Sequence, residues 1–155
     1  MEQLSLSIRQ ATEADAPRLH ELHTSSVRTL CSRHYAPEII DGWLQNRSRQ
    51  GYLQPIQRGN IFVAEYGSTI VGFGEAVPGV IVAIYVDPSA IERHVGSATL
   101  QHALKIARTE HAGPVRLEAT LNAVGFYEHF GSRPLERSSL QRGSITEPII
   151  LMELQ

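Results

Sequence analysis

The chain has 155 residues, with 14 lysines and arginines against 16 aspartates and glutamates, a net charge of −2 and a single cysteine. That length suits one domain spanning 1–155, and 42% hydrophobic with 19% charged residues excludes global disorder. The near-neutral balance leaves no broad basic field for nucleic acid or anionic lipid, and a lone Cys31 excludes both an internal disulfide and a four-thiolate metal site.

In chain order, Leu4, Leu6 and Ile8 alternate with polar residues, the two-residue period of a half-buried strand. Thr12 and Asp15 resemble a capping box opening a helix over 13–30, whose Leu19, Leu22, Val27 and Leu30 have helical spacing. A second helix opens at Pro37 and carries Ile39, Ile40, Trp43 and Leu44. Segments 61–66 and 69–77, joined by Gly67-Ser68, read as a hairpin, and Pro78-Gly79 turns the chain into a third strand over 80–86. Asp87-Pro88 ends that strand, and a helix is predicted over 95–111, before Gly113-Pro114. A strand over 115–120, a short helix over 122–130 and strands over 134–139 and 149–154 follow, with Pro148 placed at a strand start or bulge. No apolar run reaches the roughly 18 residues of a membrane span and the start lacks a secretory pattern, so a soluble cytoplasmic protein is expected.

The chemistry concentrates at Arg93-His-Val-Gly-Ser-Ala98, a glycine-containing turn into a helix after a strand and loop. Free N–H groups from Arg93 through Thr99 suit a pyrophosphate, helped by the helix dipole; Gly96 and Ala98 permit close approach, and Arg93 adds charge. The plain alternative is a helix start with small residues for packing. Neither a Walker phosphate loop nor a G-x-G-x-x-G fingerprint occurs.

Arg93-His-Val-Gly96-Ser-Ala98 matches [QR]-x-x-G-x-[GA], and 117–131 adds a strand, Asn122, the Phe126-Tyr127 pair and Gly131. With these motifs the chain resembles the GCN5-related N-acetyltransferase (GNAT) family, and Tyr35-Ala-Pro-Glu38 with Trp43 is similar to a bacterial branch of it. Ser132 departs from the aromatic residue that many members carry there. The resemblance implies a three-layer α/β fold: a mixed, mostly antiparallel sheet of about seven strands, about four flanking helices, and splayed fourth and fifth strands. It implies acetyl-CoA as acyl donor, with pantetheine pairing to backbone near Ile84 and Val86 and the phosphates held by Arg93, His94, Val95, Gly96, Ser97, Ala98 and Thr99. Asn122 would contact the cofactor arm or cap the following helix. Tyr127 would be the general acid toward the CoA sulfur; its plain alternative is core packing.

Glu75, beside Gly72 and Gly74, is the first candidate base and Glu118 the second, each with an ordinary surface-strand alternative. His23, Ser26, Arg28, Tyr35 and Trp43 are candidate acceptor contacts, Arg28 for a carboxylate or phosphate. Seven histidines are dispersed without a ligand spacing, so no metal is expected, and Cys31 has no partner for nucleophilic chemistry. The expected acceptor is a small primary amine, with peptide or protein N-acetylation and a noncatalytic acyl-CoA-binding module as alternatives; a homodimer stays open.

Overall fold

In the computed structural model, which describes residues 5–45, 47–91 and 94–155, the alternating start forms β1 (Leu6–Gln10), Leu4 lying outside the described residues. The Asp15 carboxylate accepts from the Thr12 N–H at 2.8 Å, and the Asp15 N–H donates to the Thr12 carbonyl at 2.9 Å. This closure starts a 3-10 turn (Glu13–Asp15) that runs into α1 (Ala16–Leu30). Pro37 opens α2 (Pro37–Gln45), as expected. A short α3 (Leu53–Gln57) was not expected, because one turn containing Pro55 has no periodicity to read.

The hairpin strands β2 (Ile61–Tyr66) and β3 (Thr69–Val77) and the following β4 (Val80–Val86) have the expected bounds. The next helix, α4 (Val95–Ala107), ends four residues short of the expected 111. The turn at Gly79 explains the stop: its N–H donates to the Ala107 carbonyl at 2.7 Å, and its own carbonyl accepts from Arg116 at 3.0 Å. One glycine, at φ 87°, thus joins the helix end, the β3–β4 turn and the start of β5 (Val115–Ala119). A 3-10 turn (Leu121–Ala123) leads into α5 (Val124–His129), and β6 (Arg133–Arg142) and β7 (Ile145–Leu154) form a hairpin longer than expected. Ser132 bridges α5 to β7: its N–H donates to the Tyr127 carbonyl at 3.0 Å and its hydroxyl to the Glu153 carbonyl at 3.2 Å. At the position where Ser132 departs from the aromatic residue of many family members, hydrogen bonds make the connection.

Pro148 corrects the sequence reading. It sits inside β7 opposite Ser139 of β6, whereas β5 pairs with β7 only from Ile150 to Leu154. Beyond β5 that stretch of β7 has one paired side, so a missing N–H is tolerated.

The strands lie in the order β1-β2-β3-β4-β5-β7-β6, with the β4/β5 contact parallel and the other pairs antiparallel. Five α-helices, against an expectation of about four, flank this mixed sheet among the described residues. Strand alternation sorts the core: Ile61 and Val63 pack with Leu19, Leu22 and Phe73 beneath α1, whereas Phe62 packs with Leu100 and Ala103 beneath α4. A second cluster on the α1 side joins Val27, Cys31, Tyr35, Ile40 and Trp43. No helix among the described residues is long and apolar enough to cross a membrane.

Gly72 lets α4 approach the sheet, since a β-carbon there would lie 2.9 Å from Val95 Cγ1 and 3.3 Å from the Tyr85 carbonyl oxygen. Gly72→Val should therefore cost about 1–3 kcal/mol through overpacking, measured by urea unfolding. His23, 2% exposed, stacks on Tyr85 at 3.8 Å, and its Nδ1 is 3.0 Å from the Tyr52 hydroxyl. Burial first, then Arg47, Arg142 and His20, push its pKa well below the ordinary value. The unfolded chain then takes up the proton first as pH falls below about 6.5, so folded stability is lost in that direction. Against His23→Gln, which cannot take up that proton, wild-type stability should decline with falling pH by up to about 1.4 kcal/mol per unit. A pH-independent difference in urea midpoints would contradict a neutral buried His23.

Candidate active site

β4 and β5 pair only at Val80↔Arg116 and Ile81↔Leu117 and then diverge. The rest of β4 stays paired to β3, through Gly74↔Ile84 and Gly72↔Val86, while β5 is held by β7. A strand turns alternate N–H and C=O groups to its two sides, so the β5-facing groups of the diverging part of β4 are left for another partner. The expected splay is present, and a cleft of about 200 Å³ occupies it.

This cleft is lined by Ser26, Ile84, Val86, Gly96, Asn122 and Tyr127, six of the candidate site residues named from sequence. Two residues before Gly96 the chain turns sharply: His94 caps α4 with φ 61°, a left-handed conformation unusual for a residue other than glycine. The His94 carbonyl accepts from Ala98 N–H at 3.2 Å and from the Ser97 hydroxyl at 3.1 Å. Ala98 therefore spends its N–H inside the helix, and the donors left at the helix start are those of Val95, Gly96 and Ser97. Thr99 is also corrected: it is fully buried and its hydroxyl donates to the Val95 carbonyl at 2.6 Å. The Val95 side chain is core. Arg93 lies outside the described residues. A β-carbon on Gly96 would meet Phe126 at 3.4 Å, so a longer side chain there would compete for the cleft. Arg18 fixes the chain ahead of this turn, donating to Asp87 at 2.7 Å and to the Ile70 carbonyl at 2.8 Å.

A narrower cavity of about 60 Å³ lies among Ile81, Ala83, Glu118, Leu140, Arg142 and Glu147. Ile84, Tyr85, Thr120, Ala123 and Tyr127 line both it and the cleft. Tyr127 is 6% exposed, and burial, with Tyr85 as a lesser cause, raises its pKa above the ordinary phenol range. The phenol is thus protonated at any working pH and stands where the two spaces meet. The open splay and the free N–H groups at the start of α4 fit a long, phosphorylated acyl carrier.

The other candidates divide. Asn122 Oδ1 accepts from the Cys31 thiol at 3.2 Å, while Thr120 and Ala123 hold the N-cap positions of the elements around it, so the capping alternative is not what the side chain does. The Cys31 thiol is pushed up to about 12, chiefly by burial. Tyr35 donates to the Pro148 carbonyl at 2.7 Å and accepts from Leu121 N–H at 2.9 Å, tying β7 to the turn after β5. Trp43 is buried against Tyr35 and His23, with the Arg142 guanidinium 4.8 Å above its ring. Arg28 is on the surface, paired with Asp41 at 3.1 Å, and with His23 it is not among the described residues lining the cleft. Glu75 is half-buried opposite Ala83, at a bulge, and burial raises its pKa while Arg47 opposes this. It lines neither space, whereas Glu118 lines the narrow cavity.

Sequence reasoning missed Glu147 and Arg142. The signal was one charged residue at an inward position of an alternating strand: along 145–149 Glu147 and Ile149 are buried, and Thr146 and Pro148 exposed.

Residues 16–131 match the family described as Acetyltransferase (GNAT) family. YafP of Escherichia coli K12, an uncharacterized N-acetyltransferase, is 25% identical over 138 residues, 88% of this chain and 87% of its own. In fold the chain is similar to the GCN5-related N-acetyltransferase of Rhodopseudomonas palustris, with a TM-score of 0.91 at 20% identity over 100% of this chain and 99% of that one. It is also similar to the PaiA N-acetyltransferase of Thermoplasma acidophilum in complex with coenzyme A, with a TM-score of 0.79 at 23% identity over 98% and 99% of the two chains. A family match over most of the chain, joined to a split sheet with a buried tyrosine at the split, identifies a member of the GNAT family and an acetyl-CoA-dependent N-acetyltransferase.

Proposed function

We propose that the protein transfers the acetyl group of acetyl-CoA directly to the primary amine of a small molecule, with Tyr127 as general acid. The observation that carries this reading is the position of Tyr127, a buried, protonated phenol on the wall between the cleft and the narrow cavity. The cleft would hold the donor: N–H groups of Val95, Gly96 and Ser97 bind its pyrophosphate, and backbone near Ile84 and Val86 pairs with its pantetheine arm. The narrow cavity would admit the amine. Its volume of about 60 Å³ supports a slender small-molecule amine over a protein side chain with its flanking backbone.

As the amine nitrogen attacks the thioester carbonyl, negative charge develops first on oxygen and then on sulfur. Backbone N–H groups on the free edge of β4 are suited to the first charge, and the Tyr127 hydroxyl to the second. Tyr85 and Ile84 keep bulk water from the bond being made.

The reaction is tested with acetyl-CoA and a panel of 2-phenylethylamine, ethanolamine, spermidine, L-lysine and free-N-terminus hexapeptides, reading CoA release and product mass. Turnover of at least one small amine is expected; turnover of peptides alone would reassign the acceptor class, and binding without turnover would leave a noncatalytic acyl-CoA module. Gly96→Asp should weaken acetyl-CoA binding at least tenfold by calorimetry, since it sets a carboxylate beside the phosphates. Unchanged affinity would remove this turn from the site. Tyr127→Phe should slow single-turnover acetyl transfer about 10- to 100-fold, the lower part of the range for general acids because a thiolate already leaves well, with acetyl-CoA affinity within twofold. Because burial raises the phenol's pKa, the wild type should show no loss of rate from Tyr127 ionisation up to pH 10; a wild-type transfer rate in the Phe variant would make Tyr127 a packing residue.

A further inference from the structure

Proton removal from the acceptor has no assigned group in this scheme, yet the narrow cavity contains a carboxylate suited to it. Glu147 on β7 has no exposed surface. Arg142, across the hairpin, donates to its Oε1, and its Oε2 is buried without a hydrogen-bond partner. A buried carboxylate oxygen left unpaired is costly, and such a group in a cavity calls for a ligand that satisfies it. Arg142 is itself fixed over the Trp43 ring, so the carboxylate is held in one place. Glu147 also lines the same cavity as Tyr127.

The competing carboxylates meet fewer of these conditions. Glu75 lies outside the residues lining the cavity, and Glu118, though it lines it, is exposed to water. We infer that Glu147 binds the acceptor's ammonium through Oε2 and takes its proton, making it the base of the reaction and setting a preference for a slender primary amine. This inference rests on the acetyl-transfer reading above.

The step balances. Oε2 takes one proton from R–NH3+, the freed lone pair forms the C–N bond to the acetyl carbon, and the C–S bond breaks with its electron pair leaving on sulfur. Sulfur receives the Tyr127 proton, the second proton lost by nitrogen restores Tyr127, and the proton on Glu147 passes to solvent. The charged and titratable groups facing Glu147 are Arg142 from β6, Arg47 after α2, Glu118 from β5, Tyr85 from β4, and Cys31 and Tyr35 between α1 and α2. Burial is the larger influence and raises the Glu147 pKa, Arg142 and Arg47 oppose it, and Glu118 adds to it. A carboxyl raised in this way is better matched to a proton held by an ammonium than an exposed one.

The test is the pH dependence of single-turnover transfer from acetyl-CoA to the best small amine of the panel, in wild type, Glu147→Gln and Glu147→Asp. Wild-type kcat/KM for the amine should reach a plateau well below the amine's pKa of about 10. Glu147→Gln should transfer at least 100-fold more slowly at pH 7 with acetyl-CoA affinity within twofold, and the deficit should shrink toward pH 10, where the amine loses its proton unaided. Glu147→Asp should keep the plateau at a lower rate. A deficit constant with pH assigns Glu147 a structural role and overturns the inference, as does an unimpaired Gln variant or a defect that appears in Glu118→Gln instead. Should the Gln variant fail to fold, a wild-type kcat/KM rising tenfold per pH unit all the way to pH 10 overturns it equally. Absence of wild-type transfer to any amine overturns the proposed reaction together with this inference, whereas normal wild-type transfer with a normal Gln variant overturns the inference alone.

Discussion

A sheet that comes apart halfway along two of its central strands is the constraint on which the molecule's chemistry depends. After two parallel pairs, β4 and β5 part company, and each must be stabilised without the other. For β4 the support is β3, whose Gly72 and Gly74 oppose Val86 and Ile84. For β5 it is β7, paired along all five residues of the strand. The Tyr35 hydroxyl then bridges the Leu121 N–H and the Pro148 carbonyl, so the turn after β5 stays with β7 and does not fold back onto β4. An unpaired edge inside a protein is costly to keep dry and invites another strand-like partner. The split therefore does two things at once: it supplies backbone donors and acceptors, and it shapes a slot for an extended chain.

The two ends of that slot carry opposite charge. Toward α4 the free N–H groups of Val95, Gly96 and Ser97 and the positive end of the helix dipole favour anions. Toward the β6–β7 hairpin lie the carboxylates of Glu118 and Glu147, the latter held by Arg142. These charges suit a polyanion at one end and a cation at the other, and between them stands Tyr127, whose ring belongs to the apolar cluster of Phe62, Leu100 and Met152. In that setting burial keeps the proton on the phenol, so a hydroxyl donor is available there.

Most of the fold was legible because its signals are local. Alternation marked β1, Asp-Pro and Gly-Pro breaks bounded β4 and β5, and Pro37 opened α2 where the structure has it. Apart from the single turn of α3, which has no periodicity to read, two errors fall where a distant contact decides. α4 stops at Ala107 because Gly79, on another turn, donates to its last carbonyl, and Pro148 is tolerated within a strand because β5 has already ended. The residues proposed to hold the donor could be named for a related reason: Gly96, Asn122 and Tyr127 sit in short segments whose order along the chain reproduces a known pattern, and the cleft gathers them. The half proposed for the acceptor was legible only in Glu118, named from sequence as the second candidate base, and not in Glu147 or Arg142. Its carboxylates come from separate strands, β5 and β7, and Glu75, chosen for its neighbouring glycines, proved to sit opposite Ala83 outside both spaces. Gly72 is a glycine for the sake of α4 packing, which the sequence could not separate from a bulge beside a catalytic group.

That difference follows from what each half recognises. A donor bound through main-chain groups needs little from side chains beyond the absence of bulk at Gly96, so its signature is compact. On the proposed reading, an acceptor in the 60 Å³ cavity would be recognised by the side chains that the surrounding elements turn inward, among them Arg142 and Glu147 from one hairpin, with Trp43 from α2 beneath the arginine. The hairpin is tied to the rest of the molecule through Tyr35 and the short β5–β7 ladder. Side-chain changes along it can alter which amine fits while leaving the split sheet and its backbone donors intact. The physical division between a frame made of backbone and a wall made of side chains therefore falls between β5 and the β6–β7 hairpin, with Tyr127 among the residues that line both spaces.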